Sequence, residues 1–135
     1  MAAEPDVTLG EGYSVSSIDR LGEGYGFRKI RTPMGITAFG ANSVVLPPDY
    51  PTRNHFHDEQ EELYFVHKGA IEFAFGDRTT HRVEEGGLVW AAPHTIRQLR
   101  SVGDQDAVYV AVGGKNGYVP RDGRPASGGD APLTP

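Results

Sequence analysis

Eighteen glycines and ten prolines lie among the 135 residues of this chain, so turn-forming residues recur every few positions. Long helices do not survive that punctuation, because glycine weakens a helix interior and proline breaks it. What remains between the turns is short, apolar and rich in β-branched and aromatic residues: "YGFRKIR" (Tyr25–Arg31), "GITAFGANSVVL" (Gly35–Leu46), "LYFVHKGAIEFAF" (Leu63–Phe75), "LVWAA" and "AVYVAVGG". "PPDY", "GDR", "EEGG" and "GDQD" separate them. This alternation predicts about eight to ten short strands in an all-β sandwich or barrel. Ser16 or Ser17 can cap one helical turn before the first strand. Residues 1–12 read as a loose N-terminus, 13–120 as one barrel domain, and Arg121–Pro135, rich in proline and glycine, as a mostly disordered tail.

Composition excludes several function classes. There is no cysteine, which removes disulfides, thiolate ligands and a thiol nucleophile. The net charge of -5 gives no basic face for nucleic acid. No apolar run approaches the roughly 20 residues of a membrane-spanning helix. The start, "MAAEPDVTLGEGY", lacks a basic stretch followed by an apolar one, so the expectation is a cytoplasmic protein.

The chemistry concentrates in "NHFHDEQEELYFVHKG", Asn54–Gly69. His55 and His57 stand two apart, and strand spacing points both imidazoles to one face. Asp58–Glu61 make a loop. If the chain reverses there, Glu62 on the next strand faces the same interior. A carboxylate opening an apolar strand asks for a cation or a donor. Two imidazoles and a carboxylate suit iron(II), manganese, nickel or zinc, with positions open for substrate; the residues do not choose among these metals. On spacing, a solvated histidine turn is the competing reading. Asp58, Glu59 and Glu61 read as exposed loop charges, His67 as structural and His81 as surface. In "ELYFVHKG" both strand faces are apolar, Glu62, Tyr64 and Val66 on one and Leu63, Phe65 and His67 on the other. The outer face is therefore expected to be covered, by the N-terminal strands or by a second copy in a homodimer.

These residues resemble the first motif of the cupin superfamily, and in particular the small single-domain bacterial cupins with a type-2 conserved barrel. His55, His57, Glu62 and Gly69 occupy matching positions, and Asp49 replaces the leading glycine. The resemblance covers roughly residues 44–112. It implies a small double-stranded β-helix, a jelly-roll-like barrel of two antiparallel sheets with a metal site in its mouth. The second motif departs from the family. Counted from Gly86, the slot of the fourth ligand histidine holds Arg97; counted from Pro93, it holds Gln98. His94 lies in the slot of a turn glycine and is a replacement ligand only by proximity. Gln98 can lend an amide oxygen to a metal. Arg97 cannot, because it stays protonated. A guanidinium roughly 6 Å from a divalent ion repels it by roughly 5 kcal/mol at an effective dielectric near 20. Either Glu62 and an anionic substrate offset that, or no metal binds and Arg97 pairs with Glu62 directly. Arg97 is favoured as the inward residue, because Leu99 then shares its side.

Tyr64, on the face of Glu62, is a candidate acid or substrate contact. Trp90 is a candidate substrate platform as well as a packing residue. The expected function is a metal-dependent enzyme (oxygenase, isomerase or cyclase/lyase) acting on a small, anionic organic molecule through Tyr64, Arg97, Gln98 and Trp90. The alternative is a non-catalytic binding barrel.

Overall fold

A computed structural model describes residues 5–126. Twelve strands and one short helix follow the turn pattern of the sequence: β1 Thr8–Gly10, β2 Tyr13–Val15, β3 Gly26–Lys29, α1 Arg31–Met34, β4 Gly40–Leu46, β5 His55–His57, β6 Glu61–Lys68, β7 Ala70–Phe75, β8 Thr80–Val83, β9 Leu88–Ala91, β10 Arg97–Val102, β11 Ala107–Gly114 and β12 Gly123–Pro125. Two five-stranded sheets form the body, in the orders β12-β5-β10-β7-β8 and β3-β4-β11-β6-β9, and every pairing is antiparallel. β1 and β2 form a separate hairpin. The expected all-β barrel of two antiparallel sheets is what the chain adopts.

The space between the sheets is filled by alternate residues of the long strands. Val44, Leu46, Tyr64, Val66, Ile71, Phe73, Ala91, Leu99, Ala107 and Tyr109 form one buried cluster. Asp49, in the place of the motif's leading glycine, adopts a left-handed backbone with φ 54°. Aspartate tolerates that conformation better than most residues. Its carboxylate accepts hydrogen bonds from the Arg100 side chain at 2.8 and 3.0 Å. Ser101 donates to the Pro47 carbonyl at 2.6 Å and accepts from the Tyr50 amide at 2.8 Å. These bonds tie β10 to the turn that leads into the histidine strand.

Three expectations differ from the structure. The helical turn near Ser17 is only a turn, in which Ser17 Oγ accepts from the Arg20 amide at 3.2 Å. The only helix among the described residues is α1, between two strands. Residues 8–10, within the segment expected to be loose, pair in the hairpin. The tail expected to be disordered starts with an ordered stretch, since β12 pairs with β5 through Gly123↔His57, Arg124↔Phe56 and Pro125↔His55. The rest of both terminal expectations, residues 1–4 and 127–135, lies outside the described residues.

Candidate metal centre

β5 and β6 put the histidines and Glu62 together because both are extended and face each other across the barrel mouth. His57 is 7% exposed and Arg97 and Val66 are fully buried, so this is interior space rather than a surface turn. One ligand atom from each of His55, His57 and Glu62 can be chosen so that all lie within 4.8 Å of one another. Glu62 Oε1 is 3.0 Å from His57 Nε2 and 3.9 Å from His55 Nε2.

Glu62 Oε1 also takes two strong hydrogen bonds. Arg97 donates from Nη2 at 2.6 Å and Tyr64 donates its hydroxyl at 2.6 Å. Arg97 Nε donates in turn to the Tyr64 oxygen at 3.1 Å. Arg97 Nη1 points the other way, to the carbonyls of Thr95 (2.7 Å), Pro93 (3.3 Å) and Ala92 (3.4 Å). The turn before β10 thus clamps the guanidinium, and the guanidinium aims the carboxylate.

The electrostatics follow from these contacts. Burial by itself would raise the Glu62 carboxyl; the neighbouring His55 and His57 imidazoles and the Tyr64 hydroxyl outweigh it and hold Glu62 well below the usual carboxylate range. Burial and the Glu62 charge push the Tyr64 phenol well above its ordinary value, against the opposing pull of Arg97. Burial would loosen the Arg97 proton, but Tyr64 and Glu62 more than compensate and the group stays a cation. Glu62 is therefore an anion, and Tyr64 a neutral donor committed to it.

A metal fits this donor set. His57 Nε2 is buried and has no hydrogen-bond partner among the described residues, although Glu62 Oε1 stands 3.0 Å away. A buried polar atom without a partner is costly, and a lone pair facing a carboxylate and a second imidazole is the arrangement a cation relieves. Ligand atoms about 2.1 Å from a shared ion stand about 3.0–3.4 Å apart, so the His57–Glu62 spacing already suits, and His55 has about half an ångström to close. His55 Nδ1 lies 3.2 Å from the Arg53 carbonyl, and holding the proton there leaves Nε2 free as a ligand.

The other candidate residues divide. Tyr64 and Arg97 lie at the centre. Gln98 is buried on the opposite side of β10, where its amide donates to the Thr52 carbonyl at 2.8 Å. Adjacent strand residues point to opposite faces, so an inward Arg97 turns Gln98 away from the trio, and the ligand role expected for Gln98 does not hold. Trp90 also departs from expectation. It is 60% exposed on the outer face, paired with Leu63, and its indole donates to Glu61 at 2.9 Å. It is not a platform in the mouth. His94 is exposed, 3.0 Å from the Asp58 carbonyl, and is not part of the trio. His67 and His81 are exposed, and His67 belongs to the open outer face rather than to packing.

Two residues were not anticipated. The Gln60 side-chain amide nitrogen donates to His57 Nδ1 at 3.2 Å. Asp122, 6% exposed, brings a carboxylate oxygen to 3.7 Å of the same nitrogen and accepts hydrogen bonds from the backbone amides of Gln60 (2.8 Å) and Glu59 (3.0 Å). Burial would raise its carboxyl, and these amides hold it below the ordinary value instead.

Comparison with known proteins agrees with this geometry. The family model described as "Cupin domain" matches residues 42–113, more than half of the chain. Among solved structures, a cupin protein from Bacteroides fragilis superposes with a TM-score of 0.67 at 16% identity, covering 92% of this chain and 98% of that one. A sugar phosphate isomerase from a cupin superfamily, from Silicibacter pomeroyi, gives a TM-score of 0.65 at 20% identity, covering 94% and 77%. Oxalate oxidase in complex with the substrate analogue glycolate gives 0.53 at 18% identity, covering 59% and 42%. The chain spans between 42% and 62% of the length of several other matched structures. At these identities the likeness is one of fold. No curated protein sequence matches the chain. The matched motif residues, the two-sheet barrel and the family model lead to one conclusion: the chain belongs to the cupin family.

Proposed function

We propose that this cupin barrel holds one divalent first-row metal ion through His55, His57 and Glu62, and that the loaded protein is an enzyme acting on a small organic molecule. The observation that carries the reading is the bare His57 Nε2, buried beside Glu62 and within reach of His55. When bound, such an ion acts as a Lewis acid toward a carbonyl or enol oxygen. Arg97 and Tyr64 keep Glu62 ionised and aimed. His55, whose side chain is 26% exposed, is the most open member of the trio and marks the approach for substrate. A divalent ion beside Arg97 outweighs the Glu62 charge, so the mouth attracts anions. Arg97 is fully buried and its hydrogen bonds go to protein groups, which supports a role in fixing Glu62 over direct grip on a substrate. Isomerase, lyase and oxidase chemistry all occur among the structures of similar fold, which include DMSP lyases. Protein grown with ample iron, manganese, nickel and zinc should carry close to one equivalent of metal, and His57→Ala should carry almost none. Metal-free wild-type protein under those conditions would refute the proposal.

The 2.6 Å Arg97–Glu62 pair favours a second reading, a barrel that binds a small anion without metal. A thermal-shift screen separates the two: stabilisation by divalent ions supports the metal centre, and stabilisation by small carboxylates without any response to divalent ions supports the second reading.

The partners belong to the same proposal. The outer face of β6 and β9 is apolar and open, with Leu63, Phe65, Leu88 and Trp90 between 39% and 64% exposed. The N-terminal strands do not cover these side chains, so we assign that face to a homodimer contact. No described helix is long and apolar enough to cross a membrane. A cytoplasmic site of action is part of the proposal.

A further inference from the structure

The two outer faces of the barrel differ. On the sheet β12-β5-β10-β7-β8 charged residues pair across neighbouring strands, Arg100 with Glu72 and Glu72 with Arg82. The outer face of β3-β4-β11-β6-β9 is built up on one half only. Over β4, the side chains of Ala41, Ser43 and Val45 alternate away from the core and are still buried. Arg28, paired with Ser43 on the same side of the sheet, donates to the Ile18 and Gly24 carbonyls, each at 3.0 Å. The segment leading into β3 therefore crosses this half. Over β6 and β9, Leu63, Phe65, Leu88 and Trp90 stay open. The face is a step, thick at the β3 edge and bare at the β9 edge. The hairpin of β1 and β2 stands on the thick side, held by polar contacts. Ser14 Oγ donates to the Met34 carbonyl at 2.9 Å, and Arg20 donates to Asp6 at 3.1 Å and to Thr8 Oγ1 at 2.9 Å. With Ser14 turned to the body, its neighbours Tyr13 and Val15 point the other way, and each is more than half exposed. The Tyr13 ring is fixed, because it lies across its cross-strand partner Gly10, where any side chain would collide with it.

We propose that the hairpin of a second copy fills the bare half: each copy of the homodimer packs Tyr13 and Val15 against the Leu63–Trp90 and Phe65–Leu88 pairs of the other. This rests on the homodimer contact assigned above and names the surface that occupies it. A two-stranded hairpin alone is marginal in water and needs an apolar surface to pack on. Its own chain's bare half is at the far edge of the sheet, since β4 and β9 stand three strands apart, roughly 14 Å at about 4.8 Å per strand. Rotation brings the two together. A two-fold axis parallel to the strands carries the β3 edge of one copy over the β9 edge of the other, so both steps mate at once and the assembly closes at two copies. A two-fold axis across the strands would set thick half on thick half and leave both patches bare.

The test uses the full chain, which has no cysteine of its own. Val15→Cys and Leu88→Cys proteins are mixed, left to exchange subunits and treated with a short bis-maleimide. The mixture should give a covalent dimer joining the two different chains, and neither protein alone should give one. A second measurement needs no cross-link. Tyr13→Ser with Val15→Ser should weaken the dimer about tenfold or more by sedimentation, with the circular dichroism of the barrel unchanged. Absence of the mixed cross-link, a cross-link formed by Val15→Cys alone, or a doubly substituted hairpin that dimerises as tightly as wild type would each overturn the proposal and leave the homodimer contact standing. A wild type that sediments as a monomer at every concentration would bring down the homodimer contact, and the proposal with it.

Discussion

Glu62 Oε1 is the atom on which the centre depends: it meets Arg97 and Tyr64 at 2.6 Å and His57 at 3.0 Å. Removing its charge leaves Arg97 buried without a counter-ion. Glu62→Gln should therefore destabilise the metal-free protein by about 3–5 kcal/mol, and Glu62→Gln with Arg97→Met by much less than the two single changes together. Chemical denaturation of the three variants checks this. The pH dependence has a definite sign. The folded-state carboxyl lies below its unfolded value of 4.5, so the unfolded chain takes up the proton first. The Glu62 contribution is full above that value and is lost as the pH falls below it. Denaturation of metal-free wild type between neutral and acid pH should show that decline, and Glu62→Gln should show less of it. The trio was legible in the sequence because the two-residue period of a strand places His55 with His57, and an acidic residue opening an apolar strand is costly without a partner. Arg97 was legible through the count from Gly86 and through Leu99, its neighbour two residues on. Trp90 was not, since a large aromatic in a short apolar strand fits either face. Asp122 was not, because nothing local in "PRDGRP" tells that a strand about 65 positions earlier will receive it.

At the scale of the element, turns decide where strands stop. The chain turns between β6 and β7 at Gly69, which has φ 71° and a Cβ position 2.7 Å from the Asp106 carbonyl oxygen. Gly86 has φ 85° and open space around it. Both pay the left-handed cost on replacement, about 1–2 kcal/mol, but only Gly69 adds a backbone clash. Gly69→Ala should lower stability clearly more than Gly86→Ala, measured by thermal or urea unfolding; equal losses would contradict the assigned turn. Long apolar strands such as β6, β7 and β11 were legible because alternation and β-branched content agree over six to eight residues. β1, β2, β5 and β12 are three residues each, too short for a period, and β5 and β12 also depend on pairing partners far away in sequence. That is why the terminal segments read as loose.

At the scale of the whole molecule, the two sheets close on one core while the outer side of β6 and β9 stays apolar. Leu63↔Trp90 and Phe65↔Leu88 are cross-strand pairs, so these four side chains form one continuous patch. A patch of this kind marks an interaction surface. Analytical ultracentrifugation should find a dimer, and Leu63→Glu with Trp90→Ser should convert it to a folded monomer; a monomeric wild type would contradict the assignment. The proposed function requires that His55, His57 and Glu62 share one ion. Anomalous diffraction from crystals of metal-loaded protein, collected at the absorption edge of the metal, tests this most directly. The prediction is a single strong peak within about 2.0–2.3 Å of an imidazole nitrogen of His55, an imidazole nitrogen of His57 and a carboxylate oxygen of Glu62. A map with no peak there, and Arg97 still paired to Glu62 at full metal saturation, would contradict it.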